Sequence, residues 1–226
     1  MAANGQLTVA AILVAAGDGR RLGTAVPKAF CEVRGRTLLE HALGPFVAHS
    51  AVRDLVVVAP AALLERCAQV TGDSVSVVAG GATRQASVRA GLAALAPDVD
   101  AVLVHDVARP FVPVEVLDRV LAALAGGAVA VIPARPVTDT IKRVGVDHVV
   151  AETLDRSTLR AVQTPQGFDR ALLVDAHDAA PFDDVTDDAG LVEARGATVV
   201  VVDGADEAFK ITRPWDLVLA EALTAR

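Results

Sequence analysis

Six short apolar runs, each stopped by Gly, Pro or Asp, constrain what this chain can fold into more than any other feature. They are LTVAAILVAA (7–16), DLVVVAP (54–60), DSVSVVAG (73–80), AVLVHD (101–106), AVAVIP (128–133) and ATVVVVDG (197–204). Their apolar character is continuous rather than alternating, the pattern of strands buried on both faces. Between them lie segments of helical period: TLLEHALGPFVAH, AALLERCAQV, TRQASVRAGLAALA, PVEVLDRVLAALAGG and TDDAGLVEARG. Pro113 at the start of the fourth and Gly126-Gly127 at its end follow the Pro-in, Gly-out asymmetry of helix ends. Strand and helix alternate almost throughout. That alternation predicts an α/β fold with a mostly parallel sheet flanked by helices, and such sheets bind ligands outside the carboxyl ends of their strands. At 226 residues the expectation is one domain spanning 1–226.

One segment departs from this rhythm. Residues 136–164 alternate with period two on either side of Gly145-Val146-Asp147-His148, which predicts a β-hairpin. A hairpin inserted in a parallel α/β domain cannot bury both faces on its own core. The expectation is an inserted, projecting arm for dimerisation with a second copy of the chain.

Composition excludes several partner classes. The formal net charge is −7, aromatic residues make up 3% and Tyr is absent, so there is neither a basic stripe nor a stacking platform for nucleic acid. Cys31 and Cys67 are the only cysteines, too few for a disulfide framework and without zinc-site spacing. The apolar stretch at 7–17 has no Lys or Arg before it and is too short to span a bilayer. No membrane association and a cytoplasmic location are expected.

Against that acidic background, the segment LVAAGDGRRLGTAVPK (13–28) stands out. From Arg20 to Arg36 five cations (Arg20, Arg21, Lys28, Arg34, Arg36) face one acid, Glu32, a net of +4. Gly17 and Gly19 follow the first strand and allow backbone N–H groups close to an anion. A Walker loop requires Gly-Lys-Ser/Thr, but Gly23 is followed by Thr24-Ala25. A dinucleotide fingerprint requires a small residue where Leu22 stands. What survives is a polyphosphate held by Arg20, Arg21 and Lys28, with Arg34 and Arg36 in a solvated turn around Gly35.

Two further groups belong to the same sheet edge. Asp106 closes the strand AVLVHD, and a carboxylate facing phosphates is expected to share a divalent cation with them, which suits Mg²⁺. His105, one residue earlier, points the other way and reads as packing. Gly80-Gly81 end another strand before a helix that carries Arg84 and Ser87, a place suited to a nucleobase or phosphate. No Ser-His-Asp order, Cys-His pair or glycosidase carboxylate pair stands out. These residues point to phosphate chemistry carried by electrostatics.

The motifs LVAAGDGRRLGTAVPK, GGATRQASV, VHDVARP, DTIKRV, LDRSTLRAVQTPQGF, VTDDAGLVE and FKITRPWDL together resemble, in order and over nearly the whole chain, the 2-C-methyl-D-erythritol 4-phosphate cytidylyltransferase family. That resemblance implies a Rossmann-like fold of nucleotidyltransferase type. The reaction it implies is transfer of CMP from CTP to methylerythritol phosphate, with release of pyrophosphate, in isoprenoid precursor synthesis. It assigns Ala15, Ala16, Gly17 and Gly19 to the CTP phosphates, Arg21 and Lys28 to catalysis, and Asp106 to Mg²⁺. Gly81, Arg84 and Ser87 fall to the cytosine and ribose. Arg109, Thr140, Arg156, Thr186 and Lys210 fall to the acceptor, with Thr140 and Arg156 supplied by the other subunit of a homodimer. Two positions depart from the family pattern: Asp18 places an acid in the phosphate loop, and Ala82 stands where some members carry an acid. The competing expectations are a cytidylyltransferase for a pentitol phosphate such as ribitol 5-phosphate, and a nucleotide-binding protein without turnover.

Overall fold

A computed structural model describes residues 7–17, 22–23, 26–180 and 186–225. Its strands in chain order are β1 (Val9–Val14), β2 (Glu32–Val33), β3 (Arg36–Thr37), β4 (Val52–Ala59), β5 (Ser76–Ala79), β6 (Ala101–Asp106), β7 (Ala130–Pro136), β8 (Lys142–Val144), β9 (Val150–Thr153), β10 (Arg160–Val162), β11 (Gln166–Asp169) and β12 (Val200–Asp203). The α-helices are α1 (Leu38–Ala48), α2 (Leu64–Thr71), α3 (Arg84–Ala94), α4 (Val114–Ala125), α5 (Arg170–Ala179), α6 (Asp188–Ala194) and α7 (Pro214–Leu223).

The first apolar run lies at the centre of the sheet. β1 pairs in parallel with β4 on one side and β6 on the other, in the order β10-β7-β11-β6-β1-β4-β5, with β12 joined in parallel to β7. Strand side chains alternate between faces, and β1 sends Val9, Ala11 and Leu13 into one core and Ala10 and Ile12 into the other. The first core is closed by Leu39 and Phe46 of α1, Cys67 of α2 and Leu117 and Val120 of α4. The second is closed by Val88 and Leu92 of α3, Leu173 of α5 and Val192 of α6. Burial on both sides explains the unbroken apolar run, and cutting Leu13 back to Ala would cost about 2–5 kcal/mol.

Register then sets where ligands can sit. Val14 lies opposite both Val58 and Asp106, and Ala59 lies opposite Ala79. The carboxyl ends of β1, β4, β5 and β6 therefore emerge together.

Three departures from the sequence reading have physical causes. β11 is inserted antiparallel between β6 and β7, and β10 pairs antiparallel with β7, so the sheet is mixed on that side. β11 carries Gly167 and a terminal Asp169 and lacks a β-branched run, which hid it as a strand; α5 and α7 were likewise not legible as periodic segments. β12 is an edge strand rather than one buried on both faces: Val200 and Val201 are 37% and 49% exposed, and Val202 packs on the core.

The segment after β7 leaves the main sheet at Pro136 and returns at Arg160. Between these points β8 and β9 form a separate two-stranded antiparallel ladder around a turn in which His148 N donates to Gly145 O at 3.1 Å. All residues of both strands are exposed. A third, smaller core holds Leu22, Cys31, Val33, Leu38 and Ile211, with Leu217 of α7 and Phe111 and Phe209 packed against it. Leu22, 2% exposed, is a fully packed member of this core.

Candidate active site

The loop after β1 continues the strand for one more bond, Ala15 N donating to Val58 O at 2.8 Å, before Ala16 and Gly17 open onto a cleft of about 470 Å³. Lys28 reaches the same cleft from a short 3₁₀ turn, Lys28–Phe30, whose Ala29 and Phe30 are buried. The opposite wall is the start of α3. A Cβ on Gly80 would lie 2.7 Å from Ser87 Oγ and 2.9 Å from Ala16 Cβ, and one on Gly81 would lie 2.4 Å from Ala86 Cβ. Glycine at both positions is what lets this loop press against the helix and the β1 loop. Thr83 caps α3 by accepting from Ala86 N at 3.1 Å, and Ser87, fully buried, donates its hydroxyl to Thr83 O at 2.8 Å. The exposed amide end of that helix favours a negatively charged ligand.

Charge converges on Asp106 at the cleft floor. Its Oδ2 takes Lys210 Nζ at 2.6 Å and its Oδ1 takes Arg84 Nε at 3.2 Å. Arg84 Nη1 also donates to Asp188 Oδ2 at 2.6 Å, and Asp188 Oδ1 meets His177 Nε2 at 3.0 Å. Burial alone would raise the Asp106 carboxyl, but Arg84 and Lys210 outweigh it and hold the group well below the usual carboxylate range. For Arg84, burial works against the charge, and Asp188 and Asp106 more than restore it. Among the described residues, three cations (Lys28, Arg84, Lys210) and one carboxylate line the cleft. That excess suits a polyanion.

Beneath the floor, burial pushes His105 down to about 4, so the imidazole is neutral at physiological pH. Its Nε2 lies 3.1 Å from Arg109 O, a carbonyl that can only accept, so Nε2 carries the proton and Nδ1 accepts from the Thr164 hydroxyl at 2.9 Å. Thr164 Oγ1 in turn accepts from Asp106 N at 3.1 Å. This chain of bonds fixes the turn that carries Asp106 and Arg109.

The family model for 2-C-methyl-D-erythritol 4-phosphate cytidylyltransferase (IspD) matches residues 9–226. The chain belongs to this family. It is 51% identical over 230 residues to 2-C-methyl-D-erythritol 4-phosphate cytidylyltransferase of Streptomyces avermitilis, covering 96% of this chain and 92% of the relative. Among solved structures, 4-diphosphocytidyl-2C-methyl-D-erythritol synthase from Anaerococcus prevotii superposes with a TM-score of 0.86 at 31% identity, covering 99% of this chain and 98% of that one. 2-C-Methyl-D-erythritol 4-phosphate cytidylyltransferase from Thermus thermophilus gives 0.77 at 40% identity, with coverage of 95% and 98%.

Of the positions that resemblance to the cytidylyltransferase family singles out, Ala15, Ala16, Gly17, Lys28, Gly81, Arg84, Ser87, Asp106 and Lys210 all line the one cleft. Gly19 and Arg21 lie outside the described residues, as do Asp18 and Arg20. Arg109 is not part of the lining. Its guanidinium donates to Ala208 O at 2.8 Å and Val162 O at 3.1 Å, tying the strap before Lys210 to β10. Thr140 and Arg156 sit on the exposed excursion that carries β8 and β9, Arg156 bonded to Thr138 O, and neither lines the cleft. Thr186 is exposed just ahead of α6. Ala82 lines the wall with no carboxylate to offer.

Sequence reasoning missed Asp188, His177 and Thr164. The Asp187-Asp188 pair reads as an ordinary helix start, and Asp187 does cap α6 by accepting from Gly190 N at 3.1 Å. Nothing in the order of residues says that Asp188 turns inward.

Proposed function

We propose that this cleft carries out the family's reaction, transferring CMP from CTP to 2-C-methyl-D-erythritol 4-phosphate with release of pyrophosphate. The observation that carries the proposal is the convergence of Lys28, Arg84, Lys210 and the α3 amide end on one cleft at the carboxyl edge of the sheet. The acceptor is itself a phosphate, so its oxygen is already a nucleophile and needs no general base. The barrier is the repulsion between two anions and the alignment of in-line attack on the α-phosphate. Lys28, joined by Arg21 in this reading, takes up charge on the α-phosphate and the departing pyrophosphate. One such preorganised charge is typically worth about 10²–10³ in rate. The rigid sheet edge supplies the alignment.

Asp106 fits Mg²⁺ held by a single carboxylate. Among the described residues no group of three or more Asp, Glu, His or Cys side chains comes together, and Mg²⁺ commonly takes one or two carboxylates, substrate phosphates and water. Bound there, the ion would neutralise triphosphate charge. Arg84 and Lys210, which hold both Asp106 oxygens, are the side chains that would turn to phosphate instead. Lys210 then joins Arg109 and Thr186 at the acceptor.

A homodimer completes the proposal. Val144, Val146, Val149 and Val150 on the β8–β9 ladder are 49–105% exposed, apolar surface that a second copy would cover, bringing Thr140 and Arg156 to the neighbouring cleft. No nucleic acid or membrane enters the scheme, and a cytoplasmic location accords with it; no helix among the described residues is long and apolar enough to cross a membrane. Family membership favours methylerythritol phosphate over a pentitol phosphate. Phosphorus NMR of CTP, Mg²⁺ and methylerythritol phosphate with enzyme tests the reaction: paired diphosphate-diester signals and pyrophosphate are expected, and CTP left intact would overturn it.

A further inference from the structure

We infer that Asp188 is a positioning residue of this site, holding the Arg84 guanidinium against the cleft wall for the nucleotide; the inference rests on the reading of the cleft as the CTP site. Arg84 forks between two carboxylates that differ in kind. Asp106 lines the cleft, shares its charge with Lys210 and stands where a triphosphate and its cation would draw it away. Asp188 is 1% exposed, lies outside the lining, and makes the shorter contact, 2.6 Å against 3.2 Å. Arg84 therefore keeps an anchor when Asp106 is otherwise engaged.

The anchor itself cannot swing. Asp188 Oδ1 is taken by His177 Nε2, and both side chains are buried to 1% exposure. The start of α6 is fixed from β11 as well: Gln166 Nε2 donates to Asp187 Oδ2 at 2.7 Å and Gln166 Oε1 accepts from Ala189 N at 3.2 Å. Nor does α6 need Asp188 as a cap, since Asp187 fills that role at Gly190 N and Gln166 takes Ala189 N. A buried ion pair is a weak source of stability. What this pair supplies instead is the loss of rotameric freedom in an arginine that must meet the ligand preorganised.

The test is steady-state kinetics and melting of Asp188→Asn, Arg84→Ala and the double variant. Arg84→Ala raises KM for CTP by about ten- to a hundredfold, and Asp188→Asn raises it about tenfold, the equivalent of one charge-assisted bond. Asp188→Asn leaves kcat and the acceptor KM within about twofold, as expected for lost ground-state positioning. In the Arg84→Ala background, Asp188→Asn adds nothing to KM and raises Tm, because it neutralises a carboxylate left buried without its arginine. A wild-type KM for CTP in Asp188→Asn, beside a raised one in Arg84→Ala, overturns the inference alone. An unchanged KM in Arg84→Ala overturns the CTP reading of that residue and the inference with it. Should Asp188→Asn fail to fold, His177→Leu frees one carboxylate oxygen and is expected to raise KM for CTP about two- to fivefold; no change there is equally fatal.

Discussion

Replacing Asp106 by Asn isolates what its charge does, because the amide keeps the shape and removes the anion. The carboxylate takes Lys210 at 2.6 Å and Arg84 at 3.2 Å; the amide offers one oxygen and turns its NH₂ toward the other cation. Hydrogen bonds to charged groups contribute about 1.5–3 kcal/mol. Here the loss falls toward the lower end, since Arg84 keeps Asp188 and Lys210, 40% exposed, reaches water. A loss of about 1–2 kcal/mol lowers Tm by roughly 2–8 °C in a chain of this size. The Asp106 carboxyl titrates below its ordinary value of 3.8, so its stabilisation is fully present above that pH and is lost as pH falls through the lower folded value. The gap between wild type and variant is therefore open at neutral pH and closes on acidification. Function responds in two opposed ways. With Mg²⁺, kcat/KM drops by about 10²–10³ as a preorganised charge site is lost. In chelator the cleft gains one net positive charge, and a unit charge about 6 Å away in water-like surroundings is worth about 0.7 kcal/mol, so metal-free CTP binds about threefold more tightly. Titration calorimetry with and without Mg²⁺, beside turnover, reads both. A variant that kept the wild-type metal dependence, or bound metal-free CTP more weakly, would rule out this role for the Asp106 charge.

Three other outcomes follow from the same geometry. Lys28→Ala lowers kcat/KM by about 10²–10³ with Tm near the wild-type value, and near-normal turnover would remove it from the chemistry. His105 titrates at about 4 in the fold against 6.5 ordinarily, so its contribution of about 3 kcal/mol is full above pH 6.5 and is lost as pH falls to about 4. Urea unfolding at the two pH values shows that loss in wild type and its absence in His105→Asn; equal differences would contradict the buried neutral imidazole. Thr140→Ala and Arg156→Ala raise KM for the acceptor far more than for CTP, and equal effects on both substrates would count against their delivery to a neighbouring cleft.

What was legible in the sequence was what burial writes into it. β1, β4 and β6 show as unbroken apolar runs because helices cover both their faces, and Gly80-Gly81 shows because no side chain fits there. The cleft could be placed from the strand ends alone, and Lys28, Arg84 and Asp106 fell on it. What was not legible depended on partners far along the chain. β11 is four residues without apolar alternation and is held as a strand by β6 and β7 on either side. Asp188 acquires its meaning from Arg84, 104 residues away. Leu22 counted against a dinucleotide loop in sequence, and in the fold it is a core residue beside Cys31 and Ile211, contacts that sequence order does not show. β12 misled because an apolar edge strand and an apolar central strand read alike.

Acceptor-dependent cleavage of CTP in this cleft is tested by measuring pyrophosphate release from the purified protein with CTP and Mg²⁺. The two acceptors to compare are methylerythritol phosphate and ribitol 5-phosphate. Release with methylerythritol phosphate and none with ribitol phosphate is the predicted result. Release with ribitol phosphate alone, or with neither acceptor, would contradict it.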